Sequence, residues 1–462
     1  MSSLKIKPKK AIAISILFFL LILFLSIYIS KDELYLSNYT WSIFFTSIVV
    51  LIYILRFTNS VPLSNLYSIF FISFLLFIGG RFIATLLNPQ SDTFFLDFFI
   101  TYRLNDFEIT QLMMTIFISM ISMELGSYLA YTSKSNSINP SHITEENKPS
   151  KYIIIVCLSV IFLLTLLQIK NNLELVSKLG YIALYASQSE AIQASWSSLL
   201  ITFTYVFLGI TLVHSTRRIK LLYLTLFGLS CLTQAFIGVR GALVIYLLFL
   251  IWVMNDYGKK KPNLLFIIPF MILIAGFVTY IIPMFSMRHL SEEESFLIQI
   301  SDFFYSQGTS LMIFDASTKL ESYSAIPVLQ SFIPGSSFLI GLISHELPSY
   351  YISFGRYLSY QLNPSLYNQG FGTGWSLLSD FHVFSGGVIV IFSLYNFIWG
   401  FFINKLEVLS NHNQTYKRIL ITIAPSVIFI PRAGISSIIP LIIYATIIYT
   451  LISTSKRKQK KQ

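Results

Sequence analysis

Apolar residues in this chain come in long uninterrupted runs, neither at the three-to-four-residue spacing of a surface helix nor in the alternation of a half-buried strand. The runs lie near 11–30, 41–55, 66–87, 108–131, 152–169, 195–213, 221–238, 241–254, 263–285, 384–403, 419–430 and 435–453. A helix needs about 20 apolar residues to cross about 30 Å of hydrocarbon. The pattern therefore predicts an all-α fold, a polytopic membrane helical bundle of about twelve spans.

Lys and Arg sort the gaps between the runs. With the N-terminus in the cytoplasm, 22 of the 32 basic residues fall in segments placed inside, so both termini are expected to be cytoplasmic. Two stretches fix the count. Between Arg217/Arg218/Lys220 and Lys259–Lys261 lie 34 residues, Leu221 to Met254, and both basic clusters favour the inner side, so the chain must cross twice. Each half is then about 17 residues, or roughly 25 Å of helix. The 35 residues from Ile419 to Ser453 repeat the arrangement.

Composition agrees: 55% of residues are hydrophobic and 11% charged, where a soluble domain carries about 25% charged. The formal charge of +11 follows from membrane orientation, so no nucleic-acid partner is expected. The first run, after Lys5, Lys7, Lys9 and Lys10, has a full span's length and no clear small-x-small cleavage site, and is read as a retained helix. Cys157 and Cys231 lie inside apolar runs without metal-ligand spacing and read as small hydrophobes.

The two short hairpins carry the first chemical signal. Each places one Arg at its outer tip: Arg240 in Gly238-Val239-Arg240-Gly241, and Arg432 in Pro431-Arg432-Ala433-Gly434. Arg disfavours that side, and its planar fork suits phosphate oxygens, so the pair suggests a lipid phosphate or pyrophosphate ligand. Snorkelling to lipid headgroups is the bland alternative. Two further charges, Arg81 in the third run and Glu124 in the fourth, are expensive at depth and are expected to pair with each other; a third phosphate contact is the other reading of Arg81.

Residues 286–383, 98 in all, contain no convincing span and form an extracytoplasmic loop between spans nine and ten. The chain thus divides into residues 1–285 with spans one to nine, the loop 286–383, and residues 384–462 with spans ten to twelve and the basic tail. A loop of that length is expected to be functional. It holds Arg288-His289, then Ser291-x-x-Glu294 as a capping box opening an amphipathic helix with Phe296, Ile300, Phe303 and Phe304 on one side. Beyond it come Ser306-Gln307-Gly308, His345-Glu346, Gly355-Arg356, and Gly370-x-Gly372-x-Gly374 leading through Ser376 to Asp380 and His382. No strand precedes the glycines in a βαβ unit, which excludes a dinucleotide fingerprint. Tyr350, Tyr351, Tyr357, Tyr360 and Trp375 are candidates for stacking on sugar faces, set against anchoring at the membrane interface.

Together, the Gly-Val-Arg-Gly hairpin, Tyr-Ser-Gln-Gly-Thr-Ser at Tyr305 to Ser310, Gly370-x-Gly372-x-Gly374-x-Ser376 with Asp380 and Gly386 beyond, and the Pro431-Arg432-Ala433 turn resemble the Wzy-type O-antigen and capsular polysaccharide polymerases. The resemblance covers roughly residues 235–440. Asp380 stands where Glu is more usual in that family, and His382 where Tyr is. The resemblance implies a glycosyltransferase of the bacterial plasma (inner) membrane, active on the extracytoplasmic side. It would join undecaprenyl-pyrophosphate-linked oligosaccharide repeat units, with a chain-length regulator protein left open as a further partner.

Such a transfer needs cations for the leaving pyrophosphate and a base for the acceptor hydroxyl. Arg240, Arg432, Arg288 and Arg356 are the candidates for the first role. Asp380, Glu346, His345 and His382 are the candidates for the second, with His289 also considered, each weighed against being an ordinary loop residue. No cofactor is implied, and the absence of an acidic motif with metal spacing predicts metal-independent chemistry. The alternatives are a lipid-linked oligosaccharide flippase and an O-antigen ligase-like transferase. A flippase would place its charges near the midplane between repeated halves, whereas here they gather at one face.

Overall fold

A computed structural model describes residues 8–132, 151–179, 191–236, 240–255, 257, 296–320, 322–334, 336, 340 and 348–459. The first half contributes α1 (Pro8–Ser30), α2 (Asn38–Thr58), α3 (Leu66–Phe77), α4 (Gly80–Leu87), α5 (Asp106–Thr132), α6 (Lys151–Leu179), α7 (Ala191–His214), α8 (Arg217–Phe236) and α9 (Arg240–Met254). The second half adds α10 (Phe296–Gln307), α11 (Ser310–Thr318), α12 (Ala325–Phe332), α13 (Phe354–Leu362), α14 (Pro364–Asn368), α15 (Leu377–Phe384), α16 (Ile389–Ser410), α17 (Gln414–Phe429) and α18 (Ile439–Gln459).

This is an all-α membrane protein. Among the described residues six helices are long and apolar enough to cross a bilayer, seven if α3 and α4 form one broken span. Leu200–His214, Gly241–Met254 and Ile435–Leu451 are apolar but shorter, and the run at 263–285 lies outside the described residues. The long helices turn apolar side chains outward: Phe18 and Phe19 on α1, Val156 and Leu163 on α6, and Val390 and Leu394 on α16 are exposed. Lipid is the solvent that fits such a surface.

The centre of the bundle is α5, whose best apolar window is 94% buried. It packs on α16 and α1. Small polar residues let α5 and α16 approach and tie them: Ser119 Oγ donates to Asn396 Oδ1 at 2.7 Å, Ser122 and Ser393 share a bond of 2.8 Å, and Asn404 Nδ2 donates to the Ser127 carbonyl at 3.1 Å. Away from water such bonds have few competitors.

Glu124 has a partner, but not the expected one. Arg56 Nη1 lies 2.9 Å from both Glu124 oxygens, and Arg56 Nη2 donates to Asn65 Oδ1 at 3.3 Å. Arg56 directly follows the apolar run at 41–55 and is nonetheless 1% exposed. The cause is that α2 carries its helix through Thr58, past the apolar run, so the Arg56 side chain stays inside the bundle. Arg81 instead donates to the carbonyls of Phe95 and Thr93, lies 3.8 Å from Asp97, and stacks on the Tyr305 ring with its guanidinium 4.3 Å from the centroid.

Phe95 and Asp97 belong to an element that the sequence reading missed, and Thr93 lies just before it. Phe95–Phe98 and Ile100–Arg103 form a small antiparallel hairpin, Phe95 opposite Arg103, with Phe99 at φ 70° between the strands. The run at 66–87 is also not one helix: α3 and α4 meet at 58°. Gly79 and Gly80 interrupt it, and Gly80 is required by packing. A Cβ there would come within 2.5 Å of the Phe304 carbonyl on α10, whose end passes directly across α4.

Candidate functional site

Two of the loop's sequence signals, the amphipathic helix and the Tyr305 to Ser310 motif, converge at this crossing. Helix α10 carries the predicted Phe303 and Phe304 towards the bundle, with Ser301 Oγ donating to the Ala84 carbonyl at 3.1 Å. The capping box expected to open it, at 291–294, lies outside the described residues. Its last residue, Gln307, offers Oε1 to Arg432 Nη1 at 3.1 Å, and the Arg432 guanidinium lies over Phe77 at 5.8 Å, where α3 ends. The Tyr305 to Ser310 motif therefore touches two arginines: Tyr305 covers Arg81, and Gln307 holds Arg432.

The turn bearing Arg432 is fixed from below by α15. That helix starts where the glycine segment delivers it. Gly370 and Gly374 adopt φ of 93° and 81°, Thr373 N donates to Ser359 Oγ on α13 at 2.9 Å, and Ser376 caps the new helix by accepting the Ser379 N–H at 3.1 Å. The glycines shape a backbone path, since only residues without Cβ adopt those angles freely. One turn on, Asp380 is 1% exposed. Its Oδ1 accepts the Trp375 indole N–H at 2.7 Å, and its Oδ2 accepts the Ile435 amide at 2.5 Å. Gly434 makes this fit possible, because a Cβ there would sit 2.7 Å from Asp380 Oδ2. Burial pushes the Asp380 pKa from 3.8 up to about 7, against the opposing pull of the two N–H donors.

His382 follows two residues later and so points away from Asp380 across α15. It lines a cavity of about 160 Å³ formed by α1, α5, α11, α15 and α16. Its ring is half-buried, meets the edge of Phe314 at 6.3 Å, and has no side-chain hydrogen bond among the described residues. Burial lowers its pKa, which favours the neutral imidazole.

Arg356 sits on α13, half-buried, and no side-chain contact joins it to Arg432 or Asp380 among the described residues. Arg240 opens α9, but its side chain lies outside the described residues, as do Arg288, His289, His345 and Glu346. Trp375 is buried against Phe354, with ring centroids 5.3 Å apart, which leaves its face unavailable to a sugar. Tyr350 and Tyr360 stack on each other at 3.9 Å.

The arrangement joins a cation, its orienting amide 125 residues away and a buried carboxylate 55 residues from Ile435 in the same turn, and these are the segments on which the family resemblance rests. The family model of O-antigen polysaccharide polymerase Wzy matches residues 12–461. The chain belongs to that family. The match extends over the first half as well, where the motifs gave only hydropathy, so α1 to α9 are part of the polymerase fold. No curated protein and no solved structure matches the chain. As a member of the Wzy family it is a membrane protein of O-antigen polysaccharide biosynthesis, in a family whose activity is of the glycosyltransferase type.

Proposed function

We propose that the chain polymerises undecaprenyl-pyrophosphate-linked oligosaccharide repeat units at the outer face of the bacterial plasma membrane, by glycosyl transfer that needs no metal. In this reading both termini are cytoplasmic, the chain crosses about twelve times, and the Arg432 turn lies on the outer side. The observation that carries the proposal is the fixed Arg432. Gln307 orients its guanidinium from α10, and Asp380 ties its turn to α15 through Ile435.

The chemistry follows from charge. The acceptor hydroxyl loses its proton to a base and bonds to the sugar carbon of the donor. The bond from that carbon to the pyrophosphate oxygen breaks, and its electron pair stays on the leaving pyrophosphate. A guanidinium that remains charged at every working pH stabilises that growing charge. Arg240, Arg288 and Arg356 remain further candidates for the same role. The Asp380 carboxylate, with both oxygens engaged by N–H donors, suits positioning of the turn better than removal of a proton.

Liposomes holding the full chain are given lipid-linked repeat units isolated from producing cells that lack it. A ladder of glycans that survives EDTA, and that Arg432→Lys reduces by about ten- to a hundredfold, supports the proposal. Transbilayer movement of the lipid without lengthening of the glycan would overturn it in favour of the flippase.

A further inference from the structure

The cavity beside His382 has polar groups that the site above does not use. Lys319 Nζ lies 2.9 Å from Glu108 Oε1 and 3.2 Å from Asp315 Oδ2, and Asp315 Oδ2 also accepts the Tyr102 hydroxyl at 2.6 Å. Glu108 Oε2 accepts the Asn105 amide at 2.9 Å. These bonds hold two carboxylates and one ammonium in a closed network, so the wall is fixed and its charge is unsuited to phosphate.

Three positions in that wall are left open. Gln111 Nε2 is buried without a hydrogen-bond partner, and Asp315 Oδ1 and the His382 imidazole have no side-chain partner among the described residues. Asp315 and His382 thus bring an acceptor and a group able to act as either to one small space, while the amide nitrogen of Gln111, another residue of the wall, is closed off behind it. A buried amide N–H left without an acceptor is costly, and turning the Gln111 side chain towards a ligand oxygen in the cavity would relieve it. Phe314 and Tyr28 supply apolar wall beside them. Apolar faces edged with a few fixed donors and acceptors match a pyranose ring, whose faces are C–H and whose rim is hydroxyl.

We propose that this cavity between α1, α5, α11, α15 and α16 is a subsite for a single uncharged sugar ring of the repeat unit. Its open polar groups, Gln111, Asp315 and His382, meet the ring hydroxyls. The subsite rests on the polymerase reading for the identity of the glycan. Because α15 presents Asp380 to the Arg432 turn and His382 to the cavity, one short helix fixes the position of the ring relative to the phosphate-binding cation.

The test uses the full chain in nanodiscs and the oligosaccharide released by mild acid from lipid-linked repeat units of cells lacking the chain. Saturation-transfer NMR detects binding without turnover, and Thr318→Met narrows the cavity from a half-exposed position while keeping every partner above. Gln111→Leu removes the open donor. Both variants are expected to weaken binding about tenfold with unfolding temperatures near wild type. In the ladder assay both variants are expected to raise KM for the lipid-linked unit by a similar factor. Unchanged binding and unchanged KM in both variants overturn the subsite while leaving polymerisation intact. A wild type that binds the oligosaccharide but makes no ladder overturns the polymerase reading and keeps the subsite.

Discussion

Asp380→Asn separates two roles that a buried carboxylate can have here. The wild-type side chain accepts one N–H on each oxygen, from Trp375 and from Ile435. Asparagine has one oxygen and one NH2, so one of those donors must face another donor. A hydrogen bond to a charged acceptor contributes about 1.5–3 kcal/mol, and a buried donor left alone costs about 1–3 kcal/mol, so a loss of about 2–3 kcal/mol is expected. The loss falls on the turn, because its backbone bonds are internal to it, Ala433 N to the Ile430 carbonyl at 2.9 Å and Ser437 N to the Gly434 carbonyl at 3.0 Å. A shift of Arg432 by about 1 Å would lower kcat on the order of a hundredfold. Gly434→Ala pushes on the same contact from the other side, with its Cβ 2.7 Å from Oδ2 and 3.1 Å from Trp375 Cδ1, and changes no titratable group. If Asp380 holds the turn, both variants lose kcat to a similar degree in the liposome ladder assay. If Gly434→Ala stays within about threefold of wild type while Asp380→Asn is inactive, the carboxylate takes part in the chemistry and the positioning role is refuted.

The remaining expectations are briefer. The Asp380 pKa is raised by folding from 3.8 to about 7, so its contribution to stability is complete below 3.8 and is lost as pH rises through about 7; unfolding temperatures of wild type and Asp380→Asn should converge or cross over that window. Arg56→Met leaves Glu124 unpaired among buried groups and should destabilise by about 3–5 kcal/mol, whereas Arg56→Met with Glu124→Leu should recover most of it; equal thermal unfolding of the two in detergent would show that the pair is not a unit. Gly308→Ala drives a Cβ into the Arg81 side chain at 2.8 Å, and should lower stability by about 1–3 kcal/mol and reduce polymer yield in the same preparation.

Much of this was legible in the chain, for reasons that can be stated residue by residue. Long apolar runs declare helices because nothing else satisfies a backbone in lipid, so the all-α membrane fold was readable. Ser376 and Ser353 cap α15 and α13 through their bonds to Ser379 N and Arg356 N, a local signal that the sequence reading above passed over. The break at Gly79-Gly80 was hidden, since two glycines in an apolar run read equally as packing. Arg56 was not readable as the partner of Glu124, because hydropathy ends a helix where apolarity ends, while α2 itself continues to Thr58. The hairpin around Phe99 has four-residue strands, too short to show alternation. Arg432 with Gln307, and Asp380 with Ile435, are contacts between residues far apart in sequence, which no local pattern encodes. The cavity is assembled from five helices and left no sequence signal beyond the single residue His382.

The break between α3 and α4 also bears on the bilayer. Helix α3 has 12 residues and rises about 18 Å, far short of the about 30 Å of a hydrocarbon core. On the proposed topology Phe77, at its outer end, and Arg432 above it stand well below the headgroup plane. Lipid that reaches this point does so by thinning or dimpling of the outer leaflet, a deformation that depends on acyl chain length. A lipid-borne phosphate would meet the guanidinium inside that depression rather than above it, so vesicles of short-chain lipids should present substrate to the enzyme more readily than those of long-chain lipids.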